Sequence, residues 1–120
     1  MDVSRWVKEY ERTWRERDVD ALDGLFTPDA VYLRSAYDEG LVGLAAIRGF
    51  WVEEEPFTMS SSVVAVDGAT AVVRVEVHYL GDRPHEYRDL WILDFAADGR
   101  VRRFEEWAHW PGMGGGSPQD

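Results

Sequence analysis

Ala71-Val72-Val73-Arg74-Val75-Glu76-Val77-His78-Tyr79 alternates apolar and polar side chains with period two, the signature of a strand rather than a helix. It runs through Gly81-Asp82-Arg83-Pro84 into a second strand, Glu86 to Ala96. That strand turns at Asp98-Gly99, a strong two-residue hairpin signal, into a third, Val101 to Trp110. Closing both loops as tight hairpins sets Glu76 opposite Asp89, Arg74 opposite Trp91, and Trp91 opposite Glu106. The expectation is a sheet face on which Arg74, Glu76, Asp89, Trp91 and Glu106 lie within cross-strand reach of one another. Such a set suits either acid–base chemistry or a solvated surface.

Upstream of these strands, Phe57 to Val66 reads as another strand, turning at Asp67-Gly68. The first half of the chain has the other period. Val3, Trp6, Val7, Tyr10 and Trp14 recur at helical spacing between Asp2 and Arg17, with Lys8, Glu9, Glu11, Arg12 and Arg15 between them. Asp18 or Asp20 caps a short second helix through Phe26, and Thr27-Pro28-Asp29 turns out of it. Ala30 to Arg34 is a short strand, Ser35 to Gly43 a loop, and Leu44 to Trp51 a third helix closed by Glu53-Glu54-Glu55-Pro56. Helices first and a long meander of strands last predict an α+β fold with helices covering one face of an antiparallel sheet.

The chain has 120 residues, enough for one core, so residues 1–110 are expected to form a single domain and the Gly-rich 111–120 a flexible tail. A hydrophobic fraction of 45% with six Trp provides material for a packed interior. The net charge of -10, without any basic run, argues against nucleic acid and anionic membrane surfaces as partners. Absence of Cys excludes disulfides and thiolate chemistry. Met1-Asp2-Val3-Ser4 leads straight into a charged amphipathic segment and no apolar stretch approaches 20 residues, so a cytoplasmic location is expected.

The same register sorts the sheet into two faces. One carries Val73, Val75, Val77, Tyr79, Leu90, Ile92, Val101 and Trp107, and pattern alone favours it as the core. The other mixes Arg74, Glu76, His78, Asp89 and Glu106 with aromatic residues such as Trp91 and Phe104, the usual lining of a ligand pocket. With both faces partly apolar, a second copy of the chain is the simplest cover for the one the helices leave.

Trp14 with Asp18-Val19-Asp20, Leu25-Phe26-Thr27-Pro28-Asp29-Ala30-Val31, Gly43 with Ala46-Ile47 and Phe50-Trp51, and Asp98-Gly99-Arg100-Val101 before Glu106-Trp107 follow one another in an order that resembles the nuclear transport factor 2-like, or SnoaL-like, superfamily. The resemblance implies a cone-shaped α+β barrel with N-terminal helices on the concave face of a curved, mostly antiparallel sheet. It also implies a pocket lined by the charged face, and a homodimer through the convex face. Within that superfamily, Tyr10 falls where ketosteroid isomerases place an oxyanion-hole tyrosine, but Arg34 and Trp91 stand where that pattern has acids. The limonene epoxide hydrolase pattern is the better match. Arg74-Val75-Glu76 resembles its Arg-x-Asp strand, Glu106 its last aspartate and Tyr32 its water-orienting tyrosine, with Arg34 replacing an asparagine.

On that resemblance Glu106 would be a general base, Tyr32 would orient a water, Glu76 would protonate a leaving oxygen, and Arg74 would hold the acids in register, without a cofactor. Tyr10, Trp14, Arg34, His78, Asp89, Trp91 and Phe104 would surround a small hydrophobic substrate in hydrolase or isomerase/lyase chemistry. The alternatives are a non-catalytic binder of small hydrophobic molecules and a dimeric structural module. His78, His85 and His109 have no metal-ligand spacing, so no metal is expected.

Overall fold

In the computed structural model, residues 1–51 and 56–112 are described; the acidic run at 53–55 and the Gly-rich stretch from 113 onward lie outside them. Helix α1, Val3–Glu16, starts where the Asp2 carboxylate accepts the Arg5 N–H at 3.0 Å. It stops at Arg17, a left-handed residue with φ 53° whose N–H returns to the carbonyls of Thr13 and Trp14. Val3, Trp6, Val7, Tyr10 and Thr13 form its buried face. A 3₁₀ turn at Val19–Ala21 leads into the short helix α2, Leu22–Leu25.

The chain then enters β1, Phe26–Leu33, without the expected turn at Thr27-Pro28-Asp29. The strand accommodates Pro28, which has no N–H to give, by breaking register with its neighbour between Phe26 and Val31. Strand β2, Leu41–Val42, and helix α3, Leu44–Phe50, complete the first half. Strands β3 (Phe57–Asp67), β4 (Thr70–Tyr79), β5 (His85–Phe95) and β6 (Val101–His109) form the meander.

The sheet is six-stranded in the order β2-β1-β6-β5-β4-β3, antiparallel except where β1 runs parallel to β6. It is curved but not closed, since β2 and β3 occupy opposite edges. No described helix is long and apolar enough to cross a membrane.

One register differs from the sequence expectation, and the difference moves side chains between faces. Trp91 does lie opposite Glu106. Between β4 and β5, however, Val75 faces Asp89, Val73 faces Trp91 and Tyr79 faces His85, so the connection spans residues 80–84 instead of a tight turn. Leu80 has left the ladder, and its N–H donates to the Pro56 carbonyl at 2.9 Å. A slip of one residue sends every side chain of a strand to the opposite face. Val73, Val75 and Val77 therefore share the buried inner face with Asp89 and Trp91, whereas Arg74 and His78 are exposed and Glu76 half-buried on the outer face. Strand β5 begins one residue before the expected Glu86, at His85, which stacks on Tyr79.

Candidate functional site

The inner face of the sheet, α1 and α3 enclose a cavity of about 70 Å³ lined by Tyr10, Trp14, Tyr32, Phe50, Trp51, Tyr79 and Glu106. Helical spacing on α1 delivers Tyr10 and Trp14 to it, four residues apart on adjoining turns. Tyr32 comes from β1, Tyr79 from β4 and Glu106 from β6, while the end of α3 supplies Phe50 and its capping residue Trp51. The rings meet as walls rather than as a stack: Tyr10 stands at 75° to Trp14 and 82° to Trp51, and Tyr32 at 86° to Trp51. Phe104 backs this arrangement, stacked against Tyr32 with ring centres 4.4 Å apart.

Two polar pairs sit in this aromatic setting. The Tyr10 and Tyr32 hydroxyls are 2.7 Å apart, each ring almost fully buried. Burial, reinforced by the nearby Glu106 carboxylate, raises both phenol pKa values well above the usual tyrosine range, so both keep their protons as donors. Across from them Glu106 Oε2 accepts the Trp91 indole N–H at 3.0 Å. Asp89, two residues before Trp91 on the same face, is the diagonal neighbour of Glu106 and shares a hydrogen bond with it.

Burial pushes the Asp89 carboxyl up to about 9, with the Glu106 charge beside it adding to the rise. Burial also raises Glu106, but hydrogen bonds from Asp89 and Trp91 favour its charged form. Asp89 therefore holds a proton at neutral pH, and Glu106 is the member of the pair that ionises first. No arginine or lysine among the described residues forms an ion pair with either carboxyl. Two buried polar atoms at the site lack a hydrogen-bond partner among the described residues, Asp89 Oδ1 and Trp51 Nε1.

Of the residues singled out from the sequence, the structure brings together Tyr10, Trp14, Tyr32, Asp89, Trp91, Phe104 and Glu106. It does not bring Arg74, Glu76, His78 or Arg34 to them. Arg74 lies on the outer face beside Leu90, and Glu76 pairs there with Arg88 at 3.6 Å. Arg34 is exposed, held by Asp38 at 3.0 Å, with its guanidinium over the Phe50 ring, 5.8 Å from the ring centre. Phe50, Trp51 and Tyr79 are cavity walls that the sequence reading leaves out of the site; the Tyr79 position follows from the corrected register, since it alternates in phase with Val77.

A model of the SnoaL-like domain matches residues 7–104. No curated protein matches the chain. Solved structures with the same fold include an epoxide hydrolase/cyclase-like enzyme, SalBIII, described for its role in pyran ring formation in the polyether salinomycin (19% identity, 88% of this chain and 89% of that one, TM-score 0.77). A LEH-like epoxide hydrolase of M. tuberculosis is also similar (13% identity, 88% and 80% coverage, TM-score 0.68). So is a putative ketosteroid isomerase from Kribbella flavida (21% identity, 91% and 77% coverage, TM-score 0.67). At these identities the likeness is one of fold.

Proposed function

The chain belongs to the SnoaL-like domain family, and on that footing we propose that its cavity is the site of cofactor-independent acid–base chemistry, hydrolase or isomerase/lyase, on a small and mainly hydrophobic molecule. The observation that carries this reading is the buried Asp89–Glu106 pair behind a cavity into which only Glu106 opens. Two carboxyls whose surroundings separate their proton affinities are what acid–base catalysis requires.

In this reading Glu106 takes a proton from a water or from the substrate. Tyr10 and Tyr32 donate to the oxygen on which negative charge develops, and Asp89 positions Glu106 through their shared proton. The holding role given to Arg74 by resemblance passes to Asp89, and the donor role given to Glu76 passes to the two tyrosine hydroxyls, with Glu106 returning the proton it took, because the outer face keeps Arg74 and Glu76 away from the cavity. Epoxide opening is the reaction to test first, since two similar folds are described as epoxide hydrolases or epoxide hydrolase-like. With a panel of small epoxides, Glu106→Gln should reduce turnover by roughly two to four orders of magnitude while the circular dichroism spectrum stays unchanged. Turnover that survives the substitution would remove Glu106 from the chemistry.

The size of the cavity favours a second reading. The cavity is only about 70 Å³, so the interior can instead be a mostly side-chain-filled core that serves only stability. Absence of both turnover and saturable ligand binding would select that reading.

A further inference from the structure

A cavity this small admits one substituent of a substrate, and its walls state which kind. Among the described residues, six aromatic side chains and a single carboxylate line it, and no basic side chain does. Aromatic walls suit positive charge, because the negative quadrupole of a ring face attracts a cation. We propose that the cavity receives an alkylammonium group carried by the substrate, with Glu106 as its counter-ion and the rings of Tyr10, Trp14, Trp51 and Tyr79 as its walls. The proposal goes beyond the acid–base reading and rests on it only in taking the cavity to be a ligand site; a bound ammonium would engage Glu106 as a counter-ion in place of the proton it takes in that reading.

Three further observations point the same way. A carboxylate buried without a cationic partner is costly, and no arginine or lysine among the described residues pairs with Glu106. A bound ammonium would supply the missing charge. Asp89 Oδ1, buried without a hydrogen-bond partner among the described residues, is a neutral acceptor behind the same carboxylate and brings no positive charge to it. Finally, the chain carries a net charge of -10, a field that draws cations toward it and repels anionic substrates. Trp14, Phe50 and Tyr79 are only partly buried, so these rings form the mouth through which the remainder of the substrate projects.

The test compares two probes of the same shape and different charge. Trimethylammonium and tert-butanol would be titrated into the intact protein, following the probe's methyl protons by NMR and the tryptophan fluorescence. Trimethylammonium should saturate with its methyl resonances shifted upfield by the surrounding rings, and bind at least about tenfold more tightly than tert-butanol. Glu106→Gln should bring the two affinities together. Tighter or equal binding of tert-butanol by the unaltered protein would overturn the proposal while leaving a small-molecule cavity in place. Absence of saturable binding by trimethylammonium would also overturn it, even if epoxides are turned over. The wild-type comparison stands whether or not the variant folds.

Discussion

Asp89 and Glu106 occupy diagonal positions across the β5–β6 pair: Trp91 faces Glu106 and Asp89 faces Ala108, so both carboxyls project from the same inner face. Their proximity gives the fold a pH dependence of defined sign. The Asp89 carboxyl ionises near 3.8 when unperturbed and near 9 in the folded protein. A group whose folded pKa is raised supports stability that is complete below its unfolded pKa and is lost as pH rises through the folded one. Stability should therefore decline from about pH 4 toward about pH 9 on account of this residue. Asp89→Asn keeps a donor for Glu106 and cannot ionise. Its Tm relative to wild type should rise between about pH 5 and about pH 8, by about 4 °C or more, and a difference that is flat or falls with pH would contradict the proton-sharing arrangement.

The Tyr10–Tyr32 contact makes a second prediction, because each hydroxyl is buried and each is the partner of the other. Tyr10→Phe leaves the Tyr32 hydroxyl without its partner, at a cost of about 1–3 kcal/mol, and Tyr32→Phe does the converse. Removing both hydroxyls removes both unmet groups. The double variant should be no less stable than either single one, with a coupling of roughly 1 kcal/mol in denaturant titrations. Additive losses would mean that the hydroxyls act independently.

Much of the fold was legible because its punctuation is chemical. Asp2 caps α1 through its side chain, and Gly99 adopts φ 88° in the β5–β6 turn, which only glycine accepts readily; the Trp91–Glu106 pairing was read correctly. The segment 80–84 contains no residue that dictates one loop length, and pattern alone could not choose between adjacent registers. That single slip exchanged Val73, Val75 and Val77 for Arg74, Glu76 and His78 on the inner face. The cavity walls at Phe50 and Trp51 were illegible for another reason. They reach the site through the docking of α3 beside the sheet, a tertiary placement that helical periodicity does not encode.

The corrected register can be checked directly. Arg74 is exposed, and Glu76 makes only a long, half-exposed pair with Arg88. Surface pairs of this kind contribute about 0–1 kcal/mol, so Arg74→Ala and Glu76→Ala should each change stability by less than about 1 kcal/mol and leave ligand binding and any turnover unaltered. Loss of binding in either variant would return these residues to the cavity and overturn the β4–β5 pairing.

The outer face makes the last prediction. Leu90 and Trp107 are 41% and 46% exposed, and they adjoin Arg74, Arg88 and Glu76 on the same face. A face holding apolar groups beside both signs of charge is self-complementary under a two-fold axis, since each arginine of one copy can meet the Glu76 of the other. A homodimer through this face would cover both side chains. Sedimentation of the wild-type protein should then give a dimer, and Trp107→Arg, which adds a third positive charge where Leu90 and Trp107 would be buried, should shift it toward monomer with little change in far-UV circular dichroism. A wild-type monomer across the accessible concentration range would show that the outer face faces solvent, and that Leu90 and Trp107 are exposed for reasons unrelated to self-association.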